Sequence, residues 1–315
     1  MTDKTTPISR RTALAGAAGL ASMPAVAKLP GNAFLERVAD GVWMHTGATE
    51  GFSTENGGDI ANIAVLETEA GALVIDTGSS RLLGERIRLE IEQRFGGLAA
   101  TILTHHHPDH TFGTQALADQ PIMALPETAA RAEANLIDYS DLLYREVGLP
   151  MRGTSPALPS ASVGGGAMTI GGRRLELLPL GGHTEADLAL LDVTTGTLIA
   201  GDLLFLGRAP TVPDADLARW HATLDTLEAL GAAAAIPGHG PLDRTGAAIL
   251  QTRAYLEWLA AQLTSAAGRG LSMIEAMGET PPASWASLGA NPEEFRRSVV
   301  QSYAAYETEA LPLLR

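Results

Sequence analysis

The stretch THHHPDHTFG, Thr104–Gly113, holds four of the chain's eight histidines, with Asp109 among them. It follows directly on AATIL, residues 99–103, whose apolar run reads as a short buried strand. A strand end presents side chains from a rigid support, which is where a metal site belongs. The strand-to-helix turn at Pro108 can aim His105 and His107 at one centre while Asp109 and His110 serve a neighbouring one. His106, between two of these, points away from them if the loop is locally extended, and reads as a residue behind the site or at the surface. Neutral imidazole suits zinc or iron, and a carboxylate can complete either set. The chain has no cysteine, so a metal would draw on nitrogen and oxygen ligands alone.

Working outward, three downstream residues share one setting. His183 in PLGGHTEAD, Asp202 in LIAGDLLF and His239 in AIPGHGP each follow an apolar run and lie beside glycine. Singly each is a weak sign, since a glycine-flanked histidine is more often a turn residue and an aspartate after a strand commonly caps a helix. With the cluster they make seven ligands, enough for two metals.

The rest of the chain supplies the scaffold. GVWMHTG (41–47), DIANIAVLET (59–68) and GALVID (71–76) read as strands, and RLLGERIRLEIEQRF (81–95) as a helix packed on their sheet. Two helices are expected between Glu127 and Val147, then a long Pro/Gly/Ser-rich loop over residues 148–166. The pattern restarts with strands at 167–172, 173–182, 186–193 and 197–201, a helix at 216–230, a strand ending at the glycines around His239, and a mostly helical tail. Two strand-rich halves, each closed by helices, predict an α/β fold built as a four-layer αβ/βα sandwich, with two sheets inside and helices outside.

Composition narrows the partners. The formal net charge is −14 and no cluster of Lys and Arg is present, which argues against nucleic acid. At the N-terminus, Arg10 and Arg11 precede a weakly apolar Ala/Gly run, and AVA at Ala25–Ala27 has the small residues of a cleavage site. Residues 1–27 resemble a twin-arginine export signal, which implies a periplasmic enzyme of residues 28–315. A stable membrane anchor is the alternative, but Thr12–Ala27 is shorter and less apolar than the roughly 20 residues a span needs.

THHHPDH, GGHTEAD, GDLLF and PGHGP, in this order and preceded by VIDTG at Val74–Gly78, resemble the metallo-β-lactamase superfamily over almost the whole mature chain. The resemblance implies that His105, His107 and His183 hold one metal, that Asp109, His110 and His239 hold a second, and that Asp202 bridges both. It implies two Zn2+ per chain, with iron or manganese as alternatives, and a metal-bridging hydroxide as nucleophile oriented by the catalytic Asp109. Asp76 resembles the family's carboxylate that orients a ligand from behind, although a turn former after a strand would look the same. Classes with a cysteine at the place of Asp202 do not fit, and the aspartate is similar to the glyoxalase II type of dinuclear hydrolase. GDIANIAVL, GDLLFLGRAPTVPDADLARW and RRSVVQSYAAYETEAL are similar to quinoprotein relay system zinc metallohydrolases and to their relatives near sulfur-oxidation systems. Such a protein would hydrolyse a small ester, thioester or lactone/lactam-like substrate beside a periplasmic quinoprotein or sulfur-oxidation system. A mononuclear iron persulfide dioxygenase of the same fold, or a non-catalytic metal-binding protein, are the rival readings.

Five residues are candidates for substrate contact. GATEGFSTENGGD, residues 47–59, is similar to the hairpin loop that covers the site in this fold, with Phe52 as lid residue. Asn62 can hydrogen-bond substrate or satisfy its own strand. Trp220 and His221 lie on a helix that follows the Asp202 loop and can wall the pocket, although amphipathic packing explains most such tryptophans. Arg208 is the fixed positive charge in the segment after Asp202, able to anchor an anionic group or to pair with a surface carboxylate.

Overall fold

The structure, a computed structural model, describes Met1 and residues 33–310, and the expected export signal at 1–27 lies outside them apart from Met1. The first sheet has seven strands in spatial order: β1 (Glu36–Ala39), β2 (Val42–His45), β3 (Ile63–Thr68), β4 (Gly71–Ile75), β5 (Leu98–Ile102), β6 (Ile122–Ala124) and β7 (Ala161–Ser162). Pairing is antiparallel from β1 to β4 and parallel from β4 to β7. The second sheet runs β12-β11-β10-β9-β8, from β8 (Gly166–Ile170), β9 (Arg173–Leu180), β10 (Asp187–Asp192), β11 (Thr197–Phe205) and β12 (Ala234–His239). There the β11/β12 pair is parallel and the others are antiparallel.

Strand period explains the layers. In β3 and β4 the residues of one face, Ala64, Leu66, Leu73 and Ile75, meet Leu175, Leu177, Leu188, Leu190, Ile199 and Ile236 of the other sheet in one buried core. Their alternates Ile63, Val65, Ala72 and Val74 turn outward onto Ile87 and Ile91 of helix α1 (Arg81–Arg94). Both faces of these strands are thus buried, which is why they read as continuous apolar runs. The outer face of the second sheet, through Ala189, Leu198, Ala200 and Leu203, packs on helices that follow in the chain. After the short α2 (Pro108–Thr111), α3 (Pro126–Ala134) and α4 (Leu136–Glu146), these are α5 (Leu217–Ala229), α6 (Ala247–Gly268), α7 (Met273–Met277), α8 (Ala283–Ala286) and α9 (Glu293–Ala310). The αβ/βα sandwich expected from the sequence is the fold observed.

Three strands escaped the reading. β1 is a half-exposed edge, β6 has three residues, and β7 has two exposed ones inside the Pro/Gly/Ser-rich loop, so none carries a legible alternation. β11 runs on to Phe205, past the expected end at Gly201. Gly201 takes φ +52°, and the pairing with β12 shifts register on either side of it, which lets the strand continue and carry Asp202 inside it. Among the described residues no helix is long and apolar enough to cross a membrane.

Candidate metal centre

Three strand ends and the interior of β11 converge on one end of the sandwich. β5 leads into the His105–His110 loop and α2, the β9–β10 connection carries His183, β11 carries Asp202, and β12 ends on His239. Asp76, just after β4, ties this end together. Its backbone sits at φ +62°, a conformation that aspartate and asparagine tolerate better than most residues. Its buried carboxylate accepts from Thr104 N and Thr104 Oγ1 and from His110 Nδ1, each at 2.8 Å. Glycine makes the close approach possible: a Cβ on Gly238 would lie 1.9 Å from Asp202 Oδ1.

Each of five histidines has one ring nitrogen tied outward and the other turned into the centre. His105 Nδ1 donates to Thr104 Oγ1 at 3.0 Å, whose own proton goes to Asp76. His107 Nε2 meets Asp214 at 3.0 Å. His110 Nδ1 goes to Asp76, His183 Nδ1 to the Thr211 carbonyl at 3.1 Å, and His239 Nδ1 to the Ile60 carbonyl at 2.7 Å. A donor tied outward fixes the tautomer and leaves a lone pair on the inner nitrogen.

The inner atoms fall into two groups. His105, His107, His183 and Asp202 each offer an atom within 4.8 Å of the others, and so do Asp109, His110 and His239. His183 Nε2 and His107 Nδ1 approach to 2.9 Å. Asp202 stands between the groups, with Oδ2 3.4 Å from His183 Nε2 and 3.2 Å from His239 Nε2, and Oδ1 3.0 Å from His110 Nε2. His105 Nε2, His110 Nε2 and Asp202 Oδ1 are buried and carry no well-formed hydrogen bond, although they crowd one another. Buried polar atoms without partners are costly, and lone pairs converging on one point are what a cation satisfies.

The electrostatics agree. Burial holds His105 well below the ordinary histidine range and His183 down to about 3, so both rings are neutral donors of lone pairs. Burial opposes charge on His110 and His239 as well, but Asp202, helped by Asp109 and for His110 by Asp76, outweighs it and pushes both upward. Burial alone would raise Asp109 and Asp202, yet the facing His110 and His239 hold both below the carboxylate range. The acids therefore demand positive charge in the centre, which a divalent cation provides in place of protons.

Residues 56–239 match the family model described as the metallo-beta-lactamase superfamily. The chain belongs to the metallo-beta-lactamase superfamily. The hydroxyacylglutathione hydrolase of Synechococcus sp. (strain CC9605) is 28% identical over 199 residues, 61% of this chain and 67% of the relative. That of Chromohalobacter salexigens is 29% identical over 160 residues, so the chain spans about half, 52%, of its length. Among solved structures, a metallo-beta-lactamase from Pontibacter korlensis aligns with TM-score 0.58 at 23% identity, covering 71% of this chain and 98% of that one. One from Hirschia baltica aligns at TM-score 0.54 and 22% identity, covering 70% and 96%. These two likenesses show the shared fold. The family match and the relatives support a metal-dependent hydrolase.

In this superfamily member the substrate candidates fare unevenly. Trp220 is fully buried, gives its indole proton to the Leu203 carbonyl at 3.0 Å, and meets the His183 ring edge-on at 5.1 Å. It backs a candidate ligand and does not face substrate. His221, the next residue, lies about 100° around the helix, half-buried and without a hydrogen bond among the described residues. Asn62 is spent on structure: it accepts from Gly47 N at 3.1 Å and donates to the Pro237 and Gly240 carbonyls at 2.8 Å, bracing the strand end that bears His239. Phe52, within the 46–62 loop, packs against Phe112, Leu143, Val147 and Met151. Arg208 is 4% exposed and gives one guanidinium N–H to the Glu50 carbonyl at 2.8 Å. Its Nε has no partner, and no carboxylate lies within ion-pair reach among the described residues, so a surface ion pair is not its role.

His106 is buried and not at the surface; it stacks on Tyr139, its Nε2 lies 3.5 Å from Asp214, and with His107 and Asp214 it forms a third cluster of possible ligand atoms beside the other two. Sequence reading missed Asp214, Thr211 and Ile60 as outward partners. Asp214 lies within the VPDADLARW run and its acid is held low first by His106 and His107, but nothing in its neighbours marks it out. Thr211 and Ile60 act through carbonyls, which leave no trace in residue type.

Proposed function

We propose that the chain is a dinuclear zinc hydrolase that cleaves a small ester, thioester or lactone/lactam-like substrate bearing an anionic group. The observation that carries this is the set of five histidines whose outer nitrogens are all tied down, leaving five inner nitrogens and two buried aspartates around one centre. His105, His107 and His183 would hold one ion, Asp109, His110 and His239 the other, with Asp202 between them. The donor set of nitrogen and carboxylate oxygen suits zinc, and iron or manganese fit the same chemistry. Bound there, two divalent ions supply Lewis acidity and bring the pKa of a water close to neutrality.

The chain's own residues do the rest. Asp109 turns Oδ2 toward His110 and His239, at 3.7 and 3.4 Å, which leaves its second oxygen to accept from an attacking water and orient it. Arg208 offers a buried guanidinium with an unpartnered Nε, a demand for an anion that a substrate carboxylate meets. The name of the two relatives, hydroxyacylglutathione hydrolase, supports an acyl group as the target. A single-iron oxygenase would leave one of the two acid-containing groups without its cation, so the seven-residue set favours the hydrolase.

The twin-arginine pattern at Arg10 and Arg11 supports export to the periplasm, and the similarity to quinoprotein relay system zinc metallohydrolases supports work beside a quinoprotein or sulfur-oxidation system. The test is metal analysis combined with turnover on ester, thioester and lactam substrates. Zinc-dependent release of an acid from one class supports the proposal; a metal-loaded protein inert on all three overturns the hydrolytic reading.

A further inference from the structure

We infer that Glu294, on the C-terminal helix α9, is a positioning residue for His183, which makes the segment after the family-matched region a working part of the centre. This rests on the metal reading above. Residues 56–239 carry the match, so Glu294 stands well outside it. The carboxylate of Glu294 is 2% exposed, and its Oε1 accepts the hydroxyl proton of Thr211. The carbonyl of the same Thr211 accepts from His183 Nδ1 at 3.1 Å. Two hydrogen bonds therefore run from α9 to the nitrogen that sets the tautomer and tilt of His183.

The carboxylate's place is fixed by how its segment docks. Gly289 N donates to the Gly207 carbonyl at 2.9 Å and Ala209 N to the Gly289 carbonyl at 3.0 Å, a short ladder alongside the loop that leads to Thr211. A Cβ on Gly289 would lie 2.4 Å from the Thr49 carbonyl, so the segment is also wedged against the 46–62 loop. Glu294 N then donates to the Ala290 carbonyl at 2.9 Å as α9 begins. Few routes remain by which the side chain could sit elsewhere. A buried carboxylate is costly unless hydrogen-bonded, and among the described residues its side-chain partners are the Thr211 hydroxyl and the half-exposed Arg297, at 3.4 Å.

The test is Zn2+ affinity, read by competition with a chromophoric chelator, for wild type, Glu294→Ala and Glu294→Gln, with melting of the metal-free proteins alongside. Removing the outer partner of a metal-binding histidine weakens metal about 10- to 100-fold, and Glu294 acts one bond further out, so about tenfold is expected for Glu294→Ala. Glu294→Gln keeps an oxygen for the Thr211 hydroxyl and should fall within about twofold of wild type. Wild-type affinity in Glu294→Ala, or equal loss in both variants, overturns the inference. If Glu294→Ala does not fold, Thr211→Val removes the same link from the other end and should show the same tenfold loss; unchanged affinity there overturns it too. A wild-type protein that takes up no Zn2+ overturns the metal reading and this inference with it, whereas tight wild-type binding with indifferent variants overturns this inference alone.

Discussion

Replacing Asp76 by alanine should cost both stability and metal, and the two losses can be separated. The carboxylate accepts three hydrogen bonds of 2.8 Å from buried donors: a backbone N–H, a hydroxyl and the imidazole N–H of His110. A buried donor stripped of its partner costs about 1–3 kcal/mol, though a water admitted into the vacated volume would recover part of it. Alanine also tolerates φ +62° poorly, at about 1–2 kcal/mol. A loss near 4 kcal/mol is expected, about a 10 °C fall in Tm for a chain of this size, which leaves the protein folded. With its outer tie gone, His110 is free to turn and to carry its proton on either nitrogen, so metal affinity should drop 10- to 100-fold, about 1.4–2.7 kcal/mol. Asp76→Asn is the informative comparison. Asparagine suits the left-handed backbone, and with its oxygen placed toward His110 it leaves only Thr104 N–H facing a donor. It should therefore lose about 1–3 kcal/mol of stability while keeping most of the metal affinity. Thermal melts of the metal-free variants and chelator competition on the folded proteins give the two numbers. Asp76→Ala with wild-type metal affinity would refute the idea that Asp76 orients His110 toward an ion.

Three further outcomes are expected. Gly238→Ala should lose both metal and stability, because its Cβ would lie 1.9 Å from Asp202 Oδ1 and 2.7–2.8 Å from the backbone of Gly201 and Asp202; elemental analysis that finds full loading would count against the packing argument. Asp202→Ala should abolish hydrolysis by uncoupling the two groups of ligands, and a variant that keeps both metals and normal turnover would sink the dinuclear assignment. Arg208→Ala should raise KM for anionic substrates about tenfold, roughly 1.4 kcal/mol, with little change for a neutral analogue and partial recovery in Arg208→Lys; equal effects on both substrates would show that Arg208 serves the fold.

The parts of this protein legible in its sequence are those written in side-chain type at short range. His105, His107, Asp109 and His110 declare themselves by crowding, and β3, β4 and β10 by apolar runs that exist because both strand faces are covered. What escaped depends on backbone atoms or on distant partners. Thr211 and Ile60 orient His183 and His239 through carbonyls, and any residue type could do so. Asp214 meets His107 across 107 positions, and Glu294 meets Thr211 across 83. Asn62 looked as able to touch substrate as to serve its strand, and only the approach of the Gly238–Gly240 turn shows that its amide is already spent. Trp220 lies on the helix expected to wall the pocket and sets its ring against His183; helical phase without a partner surface does not say which neighbour a residue will face.

The proposed hydrolase requires the seven converging side chains to hold two zinc ions. Elemental analysis of the protein as isolated, followed by titration of the metal-free form with Zn2+, tests it most directly. About two zinc per chain are expected, bound at two sites that both require Asp202. About one iron per chain, or saturation at a single equivalent of zinc, would contradict it.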